Sequence, residues 1–139
     1  MSLTAIVYKS MLALEKEFPG YRFEREPMSG ECEVVYPDGA RLPWEAVKAS
    51  EQWLGNIALI GHLRSTIAGY VGKLSALERL VLYSGSHGGD VIEDASFGEL
   101  EEELALIDAS PDEYIREFAA HLRILISMAR QERNPIVFV

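Results

Sequence analysis

Between Phe18 and Pro43 the chain is punctuated by turn residues at Pro19-Gly20, at Pro-Met-Ser-Gly over 27–30 and at Pro37-Asp38-Gly39. What fits is short strands. Tyr21 to Glu26 alternates aromatic and charged residues, and Glu31 to Tyr36 sets Cys32, Val34 and Tyr36 on one face, so each reads as a strand. Residues 27–30 join them, and Pro37-Asp38-Gly39 supplies a turn into a short third strand at Arg41–Leu42. The expected unit is a small antiparallel meander.

On either side the spacing becomes helical. Leu3, Ile6, Val7, Met11, Leu14 and Phe18 share one side of a helix that Pro19-Gly20 ends, predicting an amphipathic helix over 3–18. Pro43 suits a first helical turn, so Trp44 to Leu54 is expected as a short helix with Trp44 and Trp53 on opposite sides. From Ile57, the residues Ile60, Leu63, Ile67, Tyr70, Val71, Leu74, Leu77 and Val81 form a core-facing stripe of a long helix. Gly61, Gly69 and Gly72 lie on its other side, implying close helix packing there or a break into two pieces. Leu54 to Ile60 has a strand as its alternative.

After the glycine-rich loop 84–89, Phe97 to Ile107 repeats Leu100, Leu104 and Ile107 as a short acidic helix. Ser110-Pro111-Asp112-Glu113 marks the start of a final helix, capped by Ser110 and running to about Gln131, with Tyr114, Phe118, Leu122, Leu125, Ile126 and Ala129 on its buried face. Asn134-Pro135 stops it before an apolar strand at 136–139, paired with the meander. The fold class expected is α+β, a three-strand antiparallel meander with a C-terminal strand packed on four to five helices, in a single domain over 1–139.

The first residues show no basic leader and no small-residue cleavage site, so no signal peptide is expected. The longest uncharged runs in the middle, Leu54 to Leu63 and Leu80 to Gly89, are too short to cross a bilayer, which argues against a membrane protein. The one cysteine, Cys32, has no disulfide or CxxC partner, which favours a reducing compartment and a cytoplasmic location. Its neighbours Glu31 and Glu33 disfavour the thiolate, so it is a poor nucleophile. Net charge is −9, and the lysines and arginines never form a run, which argues against nucleic acid as a partner.

That charge is concentrated. Residues 90–113 carry ten acids and no base, an amount sufficient to set the net charge of the whole chain. A solvated acidic face kept for solubility is one reading. The other is a surface for a protein with a basic face, made of Asp90, Glu93, Asp94, Glu99, Glu101, Glu102 and Glu103, with Trp44 and Trp53 as exposed anchors. Exchange of Glu101, Glu102 and Glu103 for glutamine is then expected to slow capture without unfolding the chain.

The alternative is a small enzyme or ligand-binding domain with a pocket near the 85–90 loop, using His87, Asp90 and His121. The loop lacks the phosphate-cradle spacing and a lysine, and His87, Asp90, Glu93 and Asp94 do not follow a calcium-loop pattern, so no cofactor and no metal are assigned. Function is therefore expected to be protein binding, of an inhibitor, immunity-type or regulatory-adaptor kind. A homodimer is expected from the apolar surface left over.

Overall fold

A computed structural model gives the fold and describes residues 1–38 and 40–139, so Gly39 of the expected 37–39 turn lies outside the described residues. The class is α+β, with antiparallel sheets of four and two strands. In chain order the elements are β1 (Ser2–Tyr8), α1 (Met11–Glu17), β2 (Arg22–Arg25), β3 (Cys32–Tyr36), β4 (Lys48–Asn56), α2 (Ile57–Val71), β5 (Val91–Ile92), α3 (Phe97–Ile107), α4 (Glu113–Glu132) and β6 (Ile136–Phe138). Single 3₁₀ turns at Trp44–Val47 and Asp94–Ser96, and a π-helical turn at Leu77–Leu82, complete it.

The four-stranded sheet runs β4-β1-β6-β5, with every pairing antiparallel. β1 lies inside it and is buried on both faces. Leu3, Ala5 and Val7 join the core formed with α2, α3 and α4, while Ile6 and Tyr8 pack against α1 and the β2–β3 hairpin. This explains why the expected helix over 3–18 is wrong in its first half. A strand buried on both faces loses its alternation and reads as an apolar run, which short windows cannot tell from a helix. The true helix starts at Met11, where the Ser10 hydroxyl accepts from the Ala13 amide at 3.2 Å.

The expected helix at Trp44 to Leu54 is also corrected. Pro43 leads into a 3₁₀ turn only, and the chain then extends as β4 along β1, with Tyr8 opposite Lys48 and Ser2 opposite Asn56. Register shifts in this pair let Leu54 reach the core while its neighbours keep their pairing. Arg41–Leu42 is not a strand, so β2 and β3 form a hairpin that pairs with nothing else. The C-terminal strand pairs with β1 and β5 rather than with that hairpin.

The long helix breaks at Gly72, which takes φ 85° as the C-cap of α2. Leu74, expected in the core stripe, is 84% exposed in the link that follows. A Cβ built on Gly61 or Gly69 would meet nothing, so the small-residue side is not a close helix contact within this chain. α4 runs nearly as expected but is capped by Asp112, whose carboxylate accepts from the Tyr114 amide at 2.9 Å, and not by Ser110. Its buried face carries Ile115 in place of Tyr114.

Candidate functional site

The acidic segment is spread over several partners once folded. Glu99 meets Arg79 at 3.1 Å, Asp108 meets Arg123 at 2.6 Å, and Glu101 pairs with Arg130. These hydrogen bonds to guanidinium groups hold the Glu101 and Asp108 carboxyls below their usual range. Asp90 lies 3.4 Å from His87, and Asp112 lies 2.7 Å from His62. Glu103 is engaged by backbone, its two oxygens accepting from the Ala76 and Leu77 amides at 2.8 Å each. The carboxylate thus caps the 77–82 turn from α3. Treating Glu101, Glu102 and Glu103 alike as exposed charges is therefore wrong, since Glu103 holds structure. Glu93, Asp94, Glu102 and Glu113 have no ion-pair partner among the described residues.

His87 and His121 are on separate elements and each is already bonded. His87 is buried with its ring 4.4 Å from that of Tyr83 and 4.2 Å from that of Phe138, and its Nε2 is 2.8 Å from the Val81 carbonyl. An Nε2–H donated to that carbonyl leaves Nδ1 toward Asp90. His121 on α4 is linked through Nδ1 to the Gln52 side chain on β4 at 2.6 Å. The 85–90 loop itself folds onto the sheet, with the Gly89 amide donating to the Phe138 carbonyl. Gly85 sits against Ile57, where a Cβ would come within 3.2 Å of the Ile57 Cα and crowd it.

Both tryptophans are about half exposed, Trp44 at 52% and Trp53 at 50%, and they occupy separate elements. Trp53 lines a hollow of ≈ 440 Å³ with Asn56, Ala58, Leu59, His62, Tyr114 and Glu117, where the end of β4 meets α2 and α4. The local sequence builds it in steps. Asn56 ends β4 and caps α2 by accepting from the Leu59 amide at 2.8 Å. Asp112 caps α4 and holds His62 with its other oxygen, which places the His62 ring edge-on to Tyr114 at 5.9 Å. The bond from His62 is the main reason the Asp112 carboxyl titrates below its usual range. Glu117 stands at the rim of the hollow.

Tyr114, His62 and Glu117 were not legible as a site. Asp112 and His62 are 50 residues apart, and the one signal available was Asn56 as a cap placing the start of α2. Cys32 is buried, and burial first, then Glu15 and Glu31, pushes its thiol up against the opposing effect of Arg25. Among the described residues no group of three or more His, Cys, Asp and Glu side chains is placed to hold a metal, and no helix is long and apolar enough to cross a membrane.

No protein-family model, curated protein or solved structure matches this chain.

Proposed function

We propose that the protein works by binding another protein that presents a basic surface, as a cytoplasmic inhibitor, immunity-type protein or regulatory adaptor. The observation that carries this reading is the hollow walled by half-exposed Trp53 and Tyr114, with Glu117 at its rim. Tryptophan and tyrosine are the residues most often found at the energetic centre of protein interfaces, and an acidic surround favours a basic partner. The unpaired Glu102 and Glu113, with Glu93 and Asp94, supply the wider field that steers approach. The paired Glu99, Glu101 and Glu103 contribute less, since their charge is already met within the chain.

The test is capture of a partner by the purified protein at about 20 mM and about 300 mM salt, repeated with Trp53→Ala and Tyr114→Ala together. Capture should weaken as salt rises and fall at least about tenfold in the double variant, because truncating an interface anchor costs about 2 kcal/mol or more. A partner held equally well by the double variant would remove this surface from the reading. The open outer edge of β4 supports the homodimer. Sedimentation at micromolar concentration that shows only a 15.5 kDa species would remove that part.

A further inference from the structure

The two edges of the four-stranded sheet differ. β5 contributes two residues and is flanked in the chain by Asp90, Glu93 and Asp94. β4 contributes nine, and its one acid and one base, Glu51 and Lys48, are bonded to each other at 2.7 Å. Between its two register shifts, β4 runs regularly along β1 from Ser50 to Trp53. The β4 edge is thus electrically neutral in a chain of net charge −9.

The register shows which backbone groups of β4 face outward. The Val139 amide donates to the Thr4 carbonyl, so Thr4 and Ile6 turn their polar groups toward β6, while Ala5 and Val7 turn theirs toward β4. Gln52 and Ser50, opposite Ala5 and Val7, therefore bond to β1. Trp53 and Glu51, opposite Thr4 and Ile6, point their amides and carbonyls away from it. These groups have no backbone partner among the described residues, and both residues are exposed.

α4 stands above this edge. It packs over β4 and β1, and its His121 bonds to Gln52. Arg123 and Arg130, on one side of the helix, bond to Asp108 and Glu101 of α3. At about 100° per residue, Glu117, His121, Ile124 and Met128 fall on the other side, so this stripe faces away from α3 and over the β4 edge. Ile124 is 45% exposed there.

We propose that a second copy of this chain pairs on this edge, β4 antiparallel to β4 about a two-fold axis at Gln52. The inference rests on the homodimer reading above and gives it an interface. Glu51 then bonds to Trp53 of the other copy and Trp53 to its Glu51, so every outward amide and carbonyl of the regular stretch gains a partner. The neighbouring two-fold registers set Glu51 against Glu51 of the other copy or carry it past the regular stretch. Because α4 lies over β4 and β1, its two copies stand two strand spacings apart, about 9–10 Å, which is the separation of packed helices. That contact covers Ile124 and Met128. Glu117, a turn from the axis at His121, lies about 12 Å or more from its copy, beyond the screening length of ~8 Å. Asp90, Glu93 and Asp94 stay at the far edge of each sheet.

Sedimentation from micromolar concentration upward reads the dimer, and disulfide trapping reads the register. In a Cys32→Ser background, Gln52→Cys should cross-link to its own copy under mild oxidation. A non-hydrogen-bonded antiparallel pair holds its Cα atoms about 4.5 Å apart, within disulfide reach. Ser50→Cys, about 13 Å or more from its copy, should not. Glu51→Pro removes a donor that faces away from β1, so the chain keeps its own ladder while the dimer weakens at least about tenfold. Ile124→Glu should weaken it as much by placing a charge in the helix contact.

A wild-type chain that stays monomeric overturns this pairing together with the homodimer. A dimer that Glu51→Pro and Ile124→Glu leave unchanged keeps the homodimer and overturns the β4 pairing. So does a dimeric Gln52→Cys variant that fails to cross-link, which decides the matter even if Glu51→Pro disturbs folding. Capture of a basic partner is read separately and is untouched by either result.

Discussion

The two faces of the sheet are held in different ways. On one, α2, α3 and α4 bury a continuous apolar core that includes Phe97, Phe118, Leu122, Ile126 and Phe138. On the other, α1 and the β2–β3 hairpin cover only Ile6, Tyr8, Val137 and a few partners, Leu14, Phe23 and Cys32 among them. The thinner side is completed by polar bonds. Arg25 donates to the Asn134 side-chain oxygen through Nε and Nη2, at 3.1 and 2.9 Å, and the Asn134 amide nitrogen donates to the Tyr8 carbonyl at 2.8 Å. Glu132 accepts from the Ser10 amide at the start of α1. Asn134 reaches this position because Arg133 ends α4 in the left-handed conformation, at φ 54°. Apolar burial is non-directional and tolerates small shifts, whereas a bonded asparagine fixes one geometry, so the two faces should fail differently.

The largest effect is expected on the helical face. Phe118→Ala leaves a cavity in the main core and should cost about 3–5 kcal/mol in chemical denaturation, with the whole molecule losing stability together. Second comes the hairpin face. Gly30 has φ 78°, and a Cβ there would lie 2.3 Å from the Asn134 side-chain oxygen, so Gly30→Ala meets both backbone strain and a clash. Its cost should be about 2 kcal/mol or more. Hydrogen exchange should accelerate in β2 and β3 before α4, and uniform acceleration would mean that the hairpin is no separate unit.

Glu103→Gln comes third, because an amide presents one acceptor where the carboxylate presents two, and the 77–82 turn loses part of its cap. A loss of about 1–2 kcal/mol is expected, against less than about 0.5 kcal/mol for the exposed neighbour Glu102→Gln. Equal melting temperatures for the two variants would show that the backbone bonds to Glu103 contribute nothing.

The effects of pH divide the two faces again. On the helical side Glu101 and Asp108 have depressed carboxyl pKa values through Arg130 and Arg123. Their contribution is present above the unfolded carboxylate range and is lost as pH falls through the lower folded values, so acid should weaken the protein there. Arg123→Gln should shallow that acid limb. On the hairpin side Tyr8 is raised from 10.0 to about 12. The unfolded chain then ionises first, so stability is full below about 10 and declines as pH rises from there toward about 12. Tyr8→Phe should flatten this alkaline limb and leave the acid one unchanged.

The sequence by itself determined the elements whose signals are local. α3 lies over Phe97–Ile107 as its leucine spacing implies, α4 and both hairpin strands lie within a few residues of their expected bounds, and the α+β class follows from them. Helical spacing and turn chemistry act over a few neighbouring residues, so they can be read without a fold. Only the tertiary structure decided that Ser2–Tyr8 and Lys48–Asn56 are strands, because each is extended by pairing with the other over a sequence separation of 40 positions or more. The same holds for the candidate site. The density of acid in 90–113 was visible, but its division into paired and free carboxylates rests on Arg79, Arg123, Arg130, His62 and the Ala76 and Leu77 amides. Ion pairing falls off within a few ångströms, and the fold alone sets which charges come that close.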